Sequence, residues 1–173
     1  MVLQGKSIAM LVGPGFEDFE FWVPYMRMEE EGAAITVCGI KAGDEYASKH
    51  GCITATATVA AAEVNGADFD AVLVPGGWAP DRLRRYQGVT DLVADAHRAG
   101  KIVGLICHAG LVGISARIVA GGKATGSVGI KDDLINAGAT WVDEPAFRDG
   151  NIVWGRVVED IPAYNRELVA ALS

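Results

Sequence analysis

Four short runs of β-branched and aliphatic residues, Ser7–Val12, Ile35–Ile40, Ala71–Val74 and Ile102–Ile106, recur between longer amphipathic segments. Runs that are apolar throughout, without polar alternation, are the mark of strands buried on both faces, and such strands belong to parallel sheets covered by helices. The intervening segments 17–31 and 89–98 carry helical periodicity, and glycines that stop a helix follow them at Gly32 and Gly100. Pro24 inside the first segment predicts a bend. Lys49–Val59, with its His50-Gly51 turn and alternating threonines, predicts a small hairpin or irregular excursion. Further helices are expected from near His108 through Ser115–Val119, over Asp132–Ala137 and over Ile161–Leu172. Short strands near Lys123–Thr125, Thr140–Val142 and Ile152–Trp154 are expected to complete the sheet. No linker, repeat or low-complexity tract interrupts the pattern. The expected architecture is α/β: a single domain over residues 1–173 with a doubly wound, mostly parallel sheet.

Composition narrows the function classes. A chain of 173 residues, half of them hydrophobic, is long enough to bury a core without disulfides or a structural metal. Lys plus Arg total 15 against 22 Asp plus Glu, a net charge of −7, and such a surface repels phosphate backbones and anionic membranes, so neither nucleic acid nor membrane is an expected partner. No apolar run approaches the ~20 residues of a membrane span, and the first residues lack a secretory pattern. A cytoplasmic location is therefore expected. The cysteines Cys38, Cys52 and Cys107 have no C-x-x-C spacing, and the histidines His50, His97 and His108 are scattered, so no metal site is expected.

In doubly wound sheets ligands bind beyond the carboxyl ends of the strands. Three turns fall there: Gly13-Pro14-Gly15-Phe16-Glu17-Asp18, Pro75-Gly76-Gly77-Trp78 and Cys107-His108. The glycines at 13 and 15 do not complete a dinucleotide fingerprint, because Asp18 stands where the third glycine belongs, and no Walker sequence is present. Cys107 follows a buried strand and precedes a helix, the setting of a nucleophile elbow, where helix-terminal charge favours thiolate. Position alone leaves it either a reactive thiol or a buried core cysteine. His108 is adjacent, yet neighbours on a helix do not face each other, so its role as base stays open. Glu17 reaches the same region and would hydrogen-bond the sulfur if burial keeps it protonated; the other reading is a helix cap. Gly76 and Gly77 offer backbone N–H groups for an oxyanion hole. Asp18, Asp132 and Asp133 read as helix-capping carboxylates.

These residues together resemble the intracellular protease I (PfpI-like) branch of the ThiJ/PfpI superfamily, related to class I glutamine amidotransferases. The likeness spans nearly the whole chain and rests on Gly15-Phe16-Glu17-Asp18, Pro75-Gly76-Gly77 followed by Ala79-Pro80-Asp81-Arg82, the Gly104–His108 segment ending in Ile-Cys-His, and Ile130–Gly138. The resemblance implies a flavodoxin-like sandwich, a homo-oligomer of two or more subunits, no cofactor, a reactive Cys107 and a paired acid at Glu17. In the peptidase arrangement proposed for the family, Cys107 and His108 are completed by an intersubunit acid, here Asp81 where the family has glutamate. Other departures are Ala109 after Cys-His, Ser127 in place of a tyrosine, and Gly155-Arg156 in place of Ser-Arg. Around the expected pocket, Phe16, Trp78, Ser127, Trp154 and Arg156 are candidate rim residues, the aromatic ones being either pocket walls or packing. Three functions follow from the resemblance: a cysteine-dependent enzyme acting on small electrophilic carbonyls (glyoxalase, deglycase or hydrolase type) in stress defence, a cysteine peptidase, and a redox-responsive, chaperone-like stress protein.

Overall fold

A computed structural model describes residues 1–173. The chain forms strands β1 (Ser7–Leu11), β2 (Ala34–Gly39), β3 (Glu45–Ala47), β4 (Thr54–Thr56), β5 (Val59–Ala60), β6 (Ala71–Val74), β7 (Ile102–Ile106), β8 (Lys123–Ala124), β9 (Thr140–Trp141), β10 (Ala146–Asp149) and β11 (Ile152–Gly155). Its helices are α1 (Asp18–Glu30), α2 (Ala79–Leu83), α3 (Gln87–Arg98), α4 (Gly110–Ser115), α5 (Lys131–Asn136) and α6 (Ile161–Leu172). Seven strands make one sheet in the order β10-β11-β7-β6-β1-β2-β5. All of its pairings are parallel except β10 with β11. Helices α1 and α6 pack on one face, and α2, α3, α4 and α5 cluster on the other. A continuous core of 44 buried apolar residues joins both layers through the sheet.

The central strands β6 and β7 are buried at every position, as their uninterrupted aliphatic runs predict. Because β7, β6 and β1 lie side by side, the three turns that follow them open at one end of the sheet. Two of these turns are also stitched together directly: Phe16 and Gly77 form an isolated bridge.

Helix α1 runs unbroken through Pro24, which lacks the N–H it would otherwise donate to the Glu20 carbonyl. Other local expectations are corrected. The helix expected to reach Val119 stops at Ser115, where the backbone turns and Arg117 takes a positive φ of 60°. Strands β8 and β9 pair only with each other and stand apart from the main sheet. The edge is supplied instead by β10, which pairs antiparallel with β11. Of the two alternatives for Lys49–Val59, the hairpin is found, with its first strand β3 lying earlier, at Glu45–Ala47, paired antiparallel with β4.

Candidate active site

The first turn of α1 determines which acid meets the cysteine. Glu17 is the N-cap, with an extended backbone, and its Oε2 accepts the N–H groups of Phe19 and Glu20 at 2.8 and 2.9 Å. Its carboxylate is thereby engaged by the helix it starts. Asp18 turns the other way and holds the β3–β4 hairpin: Ser48 Oγ donates to Oδ1 at 2.6 Å, and His50 Nδ1 lies 2.9 Å from Oδ2. Burial raises the Asp18 carboxyl, but these hydrogen bonds outweigh it and leave the group below its ordinary value. The oxygens of Glu17 and Asp18 and the His50 ring nitrogen lie within 4.8 Å of one another. Those same atoms are engaged by the cap and the hairpin, which accounts for the cluster structurally.

Glu20, one turn further along, points at the sheet. It is 1% exposed, and its Oε2 accepts the Gly76 N–H at 2.8 Å. Its carboxyl lies beside Cys107, close enough for each group to influence the other's proton affinity, while its Oε1 has no hydrogen-bond partner. Burial, reinforced by the negative charge of Glu17, pushes the Glu20 carboxyl up to about 7, so that it carries a proton through much of the neutral range. The expectation of Glu17 as the paired acid is thus corrected to Glu20. Glu17 acts on the thiol only indirectly, through the proton affinity of Glu20.

Cys107 follows β7 directly, with a positive φ of 60°, a conformation that L-residues adopt at a cost and that is typical of a nucleophile elbow. The role left open for His108 gains support, because its Nδ1 lies 3.2 Å from Cys107 Sγ. Burial pushes the Cys107 thiol up, and a charged Glu20 pushes it further, while the N–H groups of His108 and Gly77 pull it down. The helix-start lowering expected from sequence is therefore outweighed. The second of the two raising influences vanishes when Glu20 is protonated, so thiolate is best tolerated when the proton rests on Glu20. His108 is held below its ordinary value by burial and by the Lys49 charge, which keeps its ring neutral.

Gly76 and Gly77 divide their work. The Gly76 amide is committed to Glu20, and the Gly77 and His108 amides are the backbone groups that lower the Cys107 thiol. A Cβ at Gly76 would run into the Glu20 carboxyl and would sit 2.8 Å from Cys107 Cβ, so only glycine lets the three groups meet.

The cleft above the sulfur encloses about 440 Å³ and opens to solvent between Phe19, Lys49, Trp78, Ser127 and Val157–Glu159. Of the expected rim, Trp78 and Ser127 belong to it. Phe16 and Trp154 are buried in the core instead, at 0% and 1% exposure. Arg156 is tied to Asp143 and Asp160 by ion pairs, away from the cleft. Asp81 is exposed, paired with Arg85 and absent from the cleft of this chain. Cys38 is buried in β2 and Cys52 lies exposed in the turn between β3 and β4; neither lines the cleft.

Sequence reasoning missed Glu20, Phe19, Lys49 and the Val157–Glu159 edge. For Glu20 a signal was present: residues 20, 24 and 28 follow an i, i+4, i+8 spacing that places the glutamate on the buried face with Pro24 and Met28.

This arrangement can be set beside known proteins. The model of the DJ-1/PfpI family matches residues 6–171. The chain belongs to the DJ-1/PfpI family. Among its relatives, a deglycase of Pyrococcus abyssi (strain GE5 / Orsay) is 41% identical over 165 residues, covering 95% of this chain and 98% of the relative. General stress protein 18 of Bacillus subtilis (strain 168) is 37% identical over 169 residues, covering 97% and 98% respectively. A crystal structure of a two-domain protein from Anabaena variabilis, containing DJ-1/ThiJ/PfpI-like and ferritin-like domains, superposes with a TM-score of 0.94 at 33% identity. The alignment covers 96% of this chain but 48% of that one, so this DJ-1/PfpI chain spans about half of the two-domain protein. No helix is long and apolar enough to cross a membrane.

Proposed function

We propose that this DJ-1/PfpI protein is a cysteine-dependent enzyme acting on small electrophilic carbonyl compounds. The observation that carries the reading is the Cys107–Glu20 pair, a nucleophile on a strained backbone beside a buried carboxylic acid that the Gly76 amide holds in place. Relatives named as deglycases support the carbonyl class, and a relative named as a stress protein supports a role in stress defence.

In the proposed step, Cys107 Sγ, as thiolate, adds its electron pair to the carbonyl carbon. The C=O π pair moves to oxygen, and that oxygen takes the proton held by Glu20, giving a neutral hemithioacetal and a Glu20 carboxylate. The N–H groups of Gly77 and His108, which favour the charged form of the sulfur, are available to the forming oxyanion. Reversal of the proton transfer lets the adduct collapse. His108, neutral and 3.2 Å from the sulfur, is suited to accept the thiol proton or to relay it. The peptidase reading would need Asp81 brought from a second subunit, since in its own chain it pairs with Arg85.

Self-association and a cytoplasmic setting are part of the same proposal. Phe19, Val23 and Met26 leave an exposed apolar stripe along α1 that begins at the cleft, a surface suited to a second copy.

The test is incubation with a panel of aldehydes, dicarbonyls, esters and peptides, with turnover measured and Cys107 adducts weighed by intact mass. Turnover of carbonyls that is lost in Cys107→Ala and strongly reduced in Glu20→Gln is the expected result. Turnover of peptides alone would overturn it.

A further inference from the structure

Lys49 is the one Lys or Arg side chain that lines the cysteine cleft. Arg27, Arg85, Arg98 and Arg156 each pair with carboxylates, whereas Lys49, which lines the cysteine cleft, makes no ion pair. Its Nζ sits instead over the Trp78 indole, 5.2 Å from the ring centroid. An unattached surface lysine would sweep a wide arc, but here both partners are fastened to one turn. The Lys49 N–H donates to Phe16 O at 2.7 Å, and the Trp78 N–H donates to Gly15 O at 2.8 Å. The base of the Trp78 side chain passes so close to Gly15 that a Cβ there would lie 3.0 Å from Trp78 Cβ, and Gly15 adopts a φ of 75°. The backbones that carry both side chains are therefore anchored at one turn, which places the Lys49 charge on the wall of the cleft. It acts on the reacting groups too, favouring carboxylate at Glu20 and neutral imidazole at His108.

No carboxylate of the cleft forms an ion pair with it. Glu17 has its Oε2 bound by two backbone amides, His50 is turned to Asp18, and Glu159 stands exposed at the edge.

We propose that Lys49, positioned by Trp78, binds the carboxylate of the substrate and directs the Cys107–Glu20 site toward anionic carbonyl compounds, the 2-oxo acids and aldehyde acids of which glyoxylate is the smallest. This rests on the carbonyl reading of the site for its chemistry, and adds to it a charge requirement that the ordinary uncharged dicarbonyls do not meet. A carboxylate next to the electrophilic carbon would place its charge on Lys49 while the carbonyl faces the sulfur and the Gly77 and His108 amides. The contact is realised in the bound and reacting states alike, so it acts chiefly on substrate selection.

Alkylation of Cys107 by iodoacetate and by iodoacetamide tests the charge without requiring turnover, because both transfer a carbon to sulfur with loss of iodide and they differ mainly in net charge. Each rate, followed by mass spectrometry of the Cys107 peptide, is divided by the rate with N-acetylcysteine. At low ionic strength the corrected iodoacetate-to-iodoacetamide ratio should exceed one by about fivefold, the factor that one contact between unit charges in water supplies. The ratio should fall to one or below in Lys49→Met, persist in Lys49→Arg, drop in Trp78→Leu, and shrink as salt is added. A ratio of one or less in the wild type, or a raised ratio that Lys49→Met leaves in place, overturns the proposal. A preference in kcat/KM for glyoxylate over glyoxal should parallel the ratio across these variants, and absence of that preference in an active enzyme overturns the substrate assignment. If no carbonyl is turned over while the alkylation ratio behaves as described, the carbonyl reading falls and the Lys49 anion site stands.

Discussion

Glu20 accepts a hydrogen bond from the Gly76 amide at 2.8 Å, across 56 positions of sequence, and this single contact fixes the acid against the Cys107 side chain. One oxygen is thereby directed, and burial decides that it holds its proton to near neutrality. Replacing Glu20 by Gln keeps an acceptor for Gly76 and removes the transferable proton. We expect carbonyl turnover to fall by about 10² to 10⁴, the usual contribution of a positioned acid or base, with the far-UV spectrum unchanged. Steady-state rates with a reactive dicarbonyl and with glyoxylate check this.

The same residue links stability to pH. Its folded-state value, about 7, lies above the ordinary 4.5, so its contribution to stability is fully present below 4.5 and is lost as pH rises through 7. A shift of that size corresponds to roughly 3 kcal/mol. His97 and His108, both held below 6.5 by burial, act in the opposite direction through the same range, so the difference between proteins is the informative quantity. Glu20→Gln should gain stability relative to wild type as pH is raised from 5 to 8, measured by urea unfolding at each pH. A difference that stays flat would mean that Glu20 is ionised throughout.

Glu17 is expected to behave as a cap with an electrostatic side effect. Glu17→Ala removes the acceptor for two α1 amides and should cost about 1 kcal/mol of stability. Because its charge helps raise the Glu20 carboxyl, the substitution should also move the acidic limb of the pH–rate profile downward while leaving Cys107 able to react. Loss of all cysteine reactivity in a folded Glu17→Ala protein would restore Glu17 to the role of paired acid.

At Cys107 the backbone itself supplies a test. Glycine ordinarily destabilises relative to alanine, but at a φ of 60° the order reverses. Cys107→Gly should be more stable than Cys107→Ala by about 1 kcal/mol in chemical denaturation, both being inactive. The opposite order would remove the argument for backbone strain at the nucleophile.

Sedimentation should give a mass of at least twice 18.2 kDa at micromolar concentration, and Phe19→Ser with Val23→Ser should lower it. A monomer at those concentrations would remove the proposed self-association.

Much of this was legible in the sequence, and for a physical reason. Strands such as Ala71–Val74 and Ile102–Ile106 must be apolar on both faces to lie inside a sandwich, so they read plainly, and the turns after them mark the site. The edge strand 146–149 has no fully buried residue and carries Arg148 and Asp149, which gives it the look of a loop. Glu17 and Glu20 are of one chemical type, three positions apart. Which of them faces the sulfur depends on the rotation of α1 about its axis, and only the burial of Phe21, Pro24 and Met28 settles that rotation. Phe16, Trp154 and Arg156 follow the same logic, since sequence places them near the strand ends but not on one side or the other. Lys49 comes from a hairpin whose docking depends on Asp18 receiving Ser48 and His50, a contact spanning 30 residues or more.

The turn at Gly15–Phe16 accepts the N–H groups of both Lys49 and Trp78 and bridges to Gly77. Three walls of the cleft therefore share one anchor, and none can swing outward without breaking a backbone hydrogen bond at that point. A ligand entering such a cleft finds its partners already ordered and pays little conformational entropy for their alignment. What it cannot do is widen the cleft to suit itself, so larger carbonyl compounds should be turned away by shape, and the difference between substrates should appear in how readily they enter rather than in any rearrangement that follows.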